Sequence, residues 1–312
     1  MIVYPNYYPE FQCIASRCRH SCCIGWEIDI DPETAEYYAE IEGKLGEKLR
    51  ANIAGGEEAH FCLGAEERCP FLTGENLCEL ILKLGEESLC EICREHPRFR
   101  NFFAGREEVG LGLCCEESAR LLMTQTEKVK LRCVGESGGA DAEEARNFAL
   151  REQLFAAAQE RTLPLHLRMV NVVTLAGGVL PEKTLGEWAG VYLDLERMES
   201  DWGELLELLA RNWEKIDLAA YANYSAAFTS EYENLLWYFL YRHFLCDAYE
   251  AGFGQRSAFA ALSVKMIFSL HALLFALHGE VDFAERLEIA RLYSAEIEYS
   301  DKNPEILMKL LF

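Results

Sequence analysis

The chain has 312 residues, of which 50% are hydrophobic and 12% aromatic, and this composition excludes an intrinsically disordered protein. Its 52 acidic and 30 basic side chains give a formal net charge of −22, spread over both halves. Such a charge disfavours binding to nucleic acid or anionic lipid and favours a basic partner, unless it serves solubility alone.

The N-terminal segment and the most apolar window of the sequence both indicate a cytoplasmic protein that binds no membrane. The opening MIVYPNYYPEF lacks the basic and apolar segments of a secretory signal. The longest apolar-rich window, 263–279, contains Lys265, His271 and His278, so it predicts a buried helix and not a membrane span.

Residues before the middle of the chain predict short elements, turns and a polar surface loop at 54–68. The segment WEIDIDPETAEYY (26–38) predicts a strand or turn that enters a capped helix. Its acidic and phenolic side chains are alternatively candidates to face a bound substrate. These are Glu27, Asp29, Asp31, Tyr37 and Tyr38.

Cysteines are concentrated in this first part: of thirteen, all except Cys246 lie between residues 13 and 133. They form three groups, Cys13-x4-Cys18-x3-Cys22-Cys23, Cys69-x8-Cys78-x11-Cys90-x2-Cys93 and Cys114-Cys115. Because the cytosol keeps thiols reduced, metal ligation is favoured over disulfides. Several gathered thiolates suit either zinc or an iron–sulfur cluster, and the spacing does not choose between them. Cys62, Cys133 and Cys246 stand alone and are predicted to be buried structural cysteines.

A glycine-rich stretch at 134–142, VGESGGADA, predicts a linker, and nearly every segment after it has helical periodicity. Asp141 and Glu144 resemble a capping box at the start of a helix over 141–160. Residues 231–250 are apolar on most sides and predict a central helix, followed by helices at 256–278 and 283–300.

The expected fold is therefore mainly α, because no alternating run bounded by hairpin turns predicts a sheet. We expect a cysteine-rich metal- or cluster-binding N-terminal half with short elements, followed by an all-helical C-terminal half. The corresponding domains are residues 1–133 and 143–312, joined by the linker at 134–142.

Three blocks of the chain resemble the FliB-type flagellin lysine N-methylases, a family whose motifs overlap the YkgJ-like group of cysteine-rich zinc or iron–sulfur proteins. The blocks are FQCIASRCRHSCCIGWEIDID, CPFLTGENLCELILKLGEESLCEICREHPRF and LCCEESARLL. In the helical half, REQLFAAAQERTLPLHLRM and AEIEYSDKNPEILMKLL are similar to the C-terminal region of that family. The resemblance therefore covers nearly the whole chain.

The resemblance implies methyl transfer from S-adenosylmethionine to lysine side chains of flagellin, with a cysteine-bound iron–sulfur cluster. A 4Fe-4S cluster is favoured and zinc is the alternative. Trp26 and Arg98 match the family and are expected to contact the cofactor, Trp26 through cation–π attraction and Arg98 through hydrogen bonds. The cysteines that match, and that are expected to supply the metal ligands, are Cys13, Cys18, Cys22, Cys23, Cys69, Cys78, Cys93 and Cys115.

Two expected signatures of S-adenosylmethionine enzymes are missing. Radical enzymes carry Cys-x3-Cys-x2-Cys, whereas Cys23 follows Cys22 directly. The sequence also has no strand and helix joined by the glycine-rich loop that ordinary methyltransferases use. The alternative is a non-catalytic zinc- or iron–sulfur-binding protein in which the cysteines are structural.

Overall fold

The computed structural model describes residues 1–136, 138–139 and 141–311, with the side chain of residue 57 left aside. Two compact units divide the chain. The smaller unit comprises residues 12–98, and the larger comprises residues 1–11 together with 99–312.

The strands of the described residues are β1 (Ile2–Pro5), β2 (Ile53–Ala54), β3 (His60–Phe61), β4 (Arg98–Phe103), β5 (Arg106–Leu111) and β6 (Leu131–Val134). The helices are α1 (Pro32–Glu40), α2 (Gly43–Ala51), α3 (Glu79–Leu84), α4 (Glu91–Glu95), α5 (Glu116–Met123), α6 (Ala142–Ala158), α7 (Leu165–Leu175), α8 (Leu185–Leu193), α9 (Ser200–Asn212), α10 (Leu218–Tyr224), α11 (Thr229–His243), α12 (Phe253–His278), α13 (Phe283–Glu298) and α14 (Asn303–Lys309).

The smaller unit contains the short elements that its sequence predicts. Helices α1 and α2 pack against each other, β2 pairs antiparallel with β3, and α3 and α4 follow longer irregular segments. Aromatic residues Tyr38, Phe61 and Phe71 lie at the centre of its core, where successive ring centroids are 6.1 and 5.1 Å apart. A core of this size supplies little hydrophobic stabilisation by itself.

The larger unit contains a four-stranded sheet in the order β4-β5-β1-β6, which the sequence analysis did not predict. Strand β1 lies between β5 and β6, parallel to β5 and antiparallel to β6. Strands β4 and β5 are adjacent and joined only by Ala104 and Gly105, and Gly105 has a φ of +71° as such a tight connection requires. The chain is mainly α, as expected, but the sequence analysis identified no sheet in this part.

A buried ion pair hides this sheet from pattern analysis. Glu108 in β5 is fully buried, so the strand is buried on consecutive residues and does not alternate. Arg151 of α6 donates two hydrogen bonds to its carboxylate, at 2.7 and 2.5 Å, and Arg106 also pairs with it. Because a buried charge is tolerated only when it is paired, this contact fixes α6 against the sheet.

The helical part of the larger unit matches the predicted helices closely. Helix α6 covers most of 141–160, α12 covers 256–278, and α13 covers most of 283–300. The predicted central helix at 231–250 begins at Thr229 but ends at His243, and α11 is buried along nearly its whole length. The all-helical C-terminal half is thus confirmed for the described residues after 141.

Helix α12 is long and apolar enough to cross a membrane by length and composition alone. However, 67% of its most apolar window is buried inside the protein, where it packs against α7, α11, α13 and α14. That packing is typical of a core helix, as predicted from the sequence of this window.

The observed units differ from the predicted domains in one respect. Residues 1–11 and 99–133 belong to the same compact unit as the helices, because β1, β5 and β6 form one sheet there. The predicted linker at 134–142 follows β6 and precedes α6 inside that unit, and its residues 137 and 140 lie outside the described residues.

A buried histidine makes the larger unit sensitive to acid. The His271 ring in α12 lies between the Tyr232 hydroxyl, 2.8 Å from Nδ1, and the Arg286 carbonyl, 3.1 Å from Nε2. Burial lowers the pKa of His271 to about 3. Between about pH 6.5 and 3 the unfolded chain therefore binds a proton here that the folded chain does not, so the free energy of unfolding falls as the pH falls.

We expect His271→Gln to flatten this dependence. Between pH 6 and 4 the variant should lose up to about 1.4 kcal/mol per pH unit from the slope of unfolding free energy against pH. The measurement is urea unfolding followed by far-ultraviolet circular dichroism. His278, exposed at the end of the same helix, is the matched control, and His278→Gln should keep the wild-type slope. Equal slopes in all three proteins would contradict a buried neutral His271.

Candidate metal centre

Backbone pairing in the smaller unit brings the first and second cysteine groups together. The amide of Cys69 donates to the carbonyl of Cys23 at 2.8 Å, and the amide of Gly25 donates to the carbonyl of Glu67 at 3.0 Å. Gly25 has a φ of +78°, a conformation that favours glycine and lets the chain turn directly after Cys23. The two thiol-bearing segments are thus held side by side.

A tight turn then returns the chain to this position. The amide of Thr73 donates to the carbonyl of Leu77 at 2.9 Å, and Leu72 pairs with Cys78 in an isolated bridge. Cys78 immediately precedes α3. Burial raises the pKa of the Cys78 thiol, although hydrogen bonding from the amides of Ile81 and Leu80 opposes this effect.

The segment that carries Cys90 and Cys93 is anchored by Asp31. Its carboxylate accepts hydrogen bonds from the amides of Thr34, at 2.9 Å, and Glu91, at 2.8 Å, so it caps α1 and fixes the start of α4. Cys90 and Cys93 lie directly before and within α4. The capped-helix interpretation of this acidic segment is therefore confirmed.

Five cysteines share the core of the smaller unit. Cys69 and Cys90 are buried members of this core, and Cys23, Cys78 and Cys93 pack against it. All thirteen cysteines of the chain are present as thiols. The prediction that the isolated cysteines are buried is wrong, because Cys62 and Cys133 are exposed and Cys246 is half-buried. We call Cys23, Cys69, Cys78, Cys90 and Cys93 the five-thiol cluster.

The thiols of the cluster shift one another's pKa. Burial raises the pKa of Cys69 to about 11, and the nearby Cys23, Cys78 and Cys90 add to this. A hydrogen bond between Cys90 and Cys93 is the largest effect on both, raising the pKa of Cys93 and lowering that of Cys90. A hydrogen bond with Cys22 is likewise the main reason that the pKa of Cys23 falls to about 7.

The donor set has the chemistry that zinc and iron–sulfur clusters require, since all five groups are soft sulfur ligands. Their positions are not those of a closed site: no group of three or more His, Cys, Asp or Glu side chains within the described residues could hold a metal ion as placed. Binding would therefore require the thiols to turn toward a common centre.

Cys90 is a member of the cluster that the expected ligand set does not contain. It is fully buried, and its thiol contacts that of Cys93. The signal was available as the spacing Cys90-x2-Cys93, which is typical of paired metal ligands.

The remaining expected ligands lie outside the core of the smaller unit. Cys13 and Cys22 are exposed, and Cys18 is half-buried with its thiol donating to the carbonyl of His20 at 3.1 Å. Cys115 belongs to the larger unit, where it directly precedes α5. The structure thus gathers Cys23, Cys69, Cys78 and Cys93 of the expected set.

Trp26 and Arg98, the residues expected to contact the cofactor, are both half-buried in the smaller unit. Trp26 packs against the core that contains the five-thiol cluster. Arg98 donates to the carbonyl of Arg94 at 3.3 Å. Its charge, after the larger effect of burial, lowers the pKa of His96 to about 4, which leaves that ring neutral near pH 7.

The other substrate-facing candidates are dispersed. The Tyr38 hydroxyl is buried and donates to the carbonyl of Ser88 at 2.7 Å, so it serves the core. Glu27, Asp29 and Tyr37 are exposed.

Comparison with known proteins finds relatives of part of the chain. Residues 184–312 match the family model of the FliB lysine N-methylase C-terminal domain. A lysine-N-methylase of Salmonella typhimurium is 24% identical over 134 residues, which are 41% of this chain and 33% of that protein. Flagellar biosynthetic protein FliU of Salmonella muenchen is 25% identical over 134 residues, which are 41% of this chain and 79% of that protein. This chain therefore spans about a third of the length of the lysine-N-methylases that it matches. No solved structure matches it.

Proposed function

We propose that this chain is a FliB-type lysine N-methylase acting on a flagellar protein, with flagellin as the favoured substrate, because residues 184–312 match the C-terminal domain of that family. The observation that carries the proposal is the family match over the helical domain. The names of the two relatives add the reaction and the flagellar context.

The reaction imposes a demand that the site must meet. A lysine ammonium has an ordinary pKa near 10.4, so deprotonation at pH 7 costs about 4.6 kcal/mol. The neutral nitrogen then attacks the methyl carbon of a donor, for which we propose S-adenosylmethionine, and the methyl–sulfur bond breaks. The substrate site must therefore hold a cation first and accept its proton afterwards.

The charge of the chain supports a lysine-bearing substrate. A net charge of −22 attracts a basic surface and repels nucleic acid. At about 0.15 M salt this attraction extends over only about 8 Å, so it acts on encounter and not on turnover.

We further propose that the five-thiol cluster binds a soft metal centre, a 4Fe-4S cluster in preference to zinc. Four of its members belong to the ligand set implied by the family resemblance, and Cys90 joins them in the core. Trp26 and Arg98 are proposed cofactor contacts from the same unit. The second candidate function, a non-catalytic metal-binding protein, is favoured by the position of these thiols inside a small core, where a metal would act as a structural link.

We expect incubation with flagellin and isotope-labelled S-adenosylmethionine to yield labelled methyl-lysine, detected by mass spectrometry of flagellin peptides. Absence of label would remove the proposed activity and favour the non-catalytic alternative.

Raising the salt should lower kcat/KM by slowing association while kcat at saturation changes little. Rates that do not respond to salt, or tight binding to DNA, would contradict the role of charge.

We expect Cys90→Ser to reduce the metal content of anaerobically purified protein by at least half, because Cys90 is fully buried within the cluster. Iron, zinc and acid-labile sulfide are measured per chain. Cys62→Ser is the matched control, since Cys62 is exposed and outside the cluster, and it should keep the wild-type content. Less than one metal centre per chain in the wild type would refute the metal proposal. Loss of metal from Cys115→Ser without loss from Cys90→Ser would show that Cys115, and not Cys90, is a ligand.

A further inference from the structure

An aromatic cleft in the larger unit lies apart from every residue considered above as a ligand or cofactor contact. Its volume is about 260 Å³. It is formed where the end of β4, the first turns of α6, the segment after α11 and the start of α12 meet. The lining residues are Phe103, Glu144, Asn147, Phe148, Leu245, Asp247, Phe253 and Arg256.

Glu144 contributes its carboxylate group to the lining of this cleft. Its Oε1 accepts a hydrogen bond from the Ala104 amide at 2.9 Å. Its Oε2 is buried and has no hydrogen-bond partner among the described residues. The expected capping box is only half formed. Asp141 caps α6 by accepting from the amides of Glu143 and Glu144, but the Glu144 carboxylate accepts from the Ala104 amide instead of the Asp141 amide. A buried acceptor without a partner is uncommon and indicates a missing donor.

Phenyl rings form the apolar walls. The rings of Phe103 and Phe148 meet edge to face, with centroids 5.0 Å apart, and Phe253 is held by a stacked contact with Phe244 at 4.8 Å. One cation already lies on this surface, because the Arg106 guanidinium is 4.2 Å from the Phe148 centroid. Such rings pack against methylene chains and attract a cation by their faces.

The cations near the cleft are already engaged. Arg256 donates to the carbonyls of Phe244, Tyr249 and Ala251, at 3.2, 2.6 and 2.8 Å. Arg106 pairs with Glu108. Of the charged lining residues, Glu144 and Asp247 are acidic and Arg256 is basic, so the lining carries a net charge of −1.

We propose that this cleft binds a primary ammonium group on an alkyl chain, which is the side chain of a substrate lysine. The methylenes lie against the phenyl rings, and the ammonium donates to the Glu144 carboxylate, with Asp247 also in the lining. The identity of the protein that carries this lysine rests on the proposed function, whereas the chemistry of the cleft does not.

Binding is tested without any methyl donor, using Nα-acetyl-lysine amide and its uncharged counterpart Nα-acetyl-norleucine amide as probes. Titrations followed by nuclear magnetic resonance should show that the lysine probe binds more tightly than the norleucine probe. Glu144→Gln should weaken the lysine probe about tenfold, the loss expected for one charge-assisted hydrogen bond, and leave the norleucine probe unchanged. The glutamine oxygen still accepts from Ala104, so the fold is retained. Asp247→Asn, an exposed position, should weaken the lysine probe by about twofold to threefold.

Glu143→Gln is the matched control, because Glu143 is an exposed neighbour in the same helical turn and outside the lining of the cleft. It removes the same charge and should change the lysine affinity less than twofold. Equal weakening in Glu143→Gln and Glu144→Gln, equal affinity for both probes, or displacement of the lysine probe by S-adenosylmethionine would each overturn the inference. If the lysine probe binds as expected but flagellin is not methylated, the proposed function fails and this site stands. If flagellin is methylated with an unchanged KM in Glu144→Gln, this site fails and the proposed function stands.

Discussion

The packing of five cysteine side chains in the core of the smaller unit is the constraint on which the rest of that unit depends. Cys69 and Cys90 occupy core positions that would ordinarily hold aliphatic side chains, and Cys23, Cys78 and Cys93 line the same core. Thiols bury little apolar surface, and in a small unit the hydrophobic contribution is already modest. Three separate contacts nevertheless hold the thiol-bearing segments together: the backbone pairing of Cys23 with Cys69, the bridge at Cys78 and the Asp31 side chain that caps α4. The proposed metal centre would account for that arrangement, because ligation energy would then become folding energy.

The larger unit is stabilised differently. Its core is extensive and aromatic, and several of its buried carboxylates pair with arginine or histidine side chains. Glu298 illustrates this, since its fully buried carboxylate accepts from His243 at 2.5 Å and from the Tyr238 hydroxyl at 3.0 Å, with Arg242 at 3.4 Å. Breaking such a pair costs about 3–5 kcal/mol, so these contacts hold the end of α11 near the end of α13. A rigid helical body of this kind can keep the Glu144 cleft in place independently of any metal.

The sequence predicted the long helices and left the sheet undetected, for a definite physical reason. Helices α6, α12 and α13 are set by periodicity within a single segment. The sheet depends on pairing between residues 2–5, 106–111 and 131–134, which no local pattern encodes. Glu108 places a charge among the buried residues of β5, and its partner Arg151 lies in a different element, α6. The candidate site shows the same division. Cysteine counts indicated the chemistry, but membership of the cluster depends on which turns bring thiols together, so Cys90 was missed and Cys13 and Cys22 lie exposed. Glu144 was assigned to a capping box, and only its contact with Ala104 reveals its place at the cleft.

Hydrogen exchange with and without a chelator tests most directly whether the five-thiol cluster binds metal that holds the smaller unit together. Mass spectrometry of anaerobically purified protein reports amide protection peptide by peptide. The account predicts that removing metal increases exchange throughout residues 12–98, most strongly around Cys69–Cys78 and α4, while amides of α11 and α12 remain protected. Unchanged exchange in residues 12–98 after complete metal removal, or simultaneous loss of protection in both units, would contradict it.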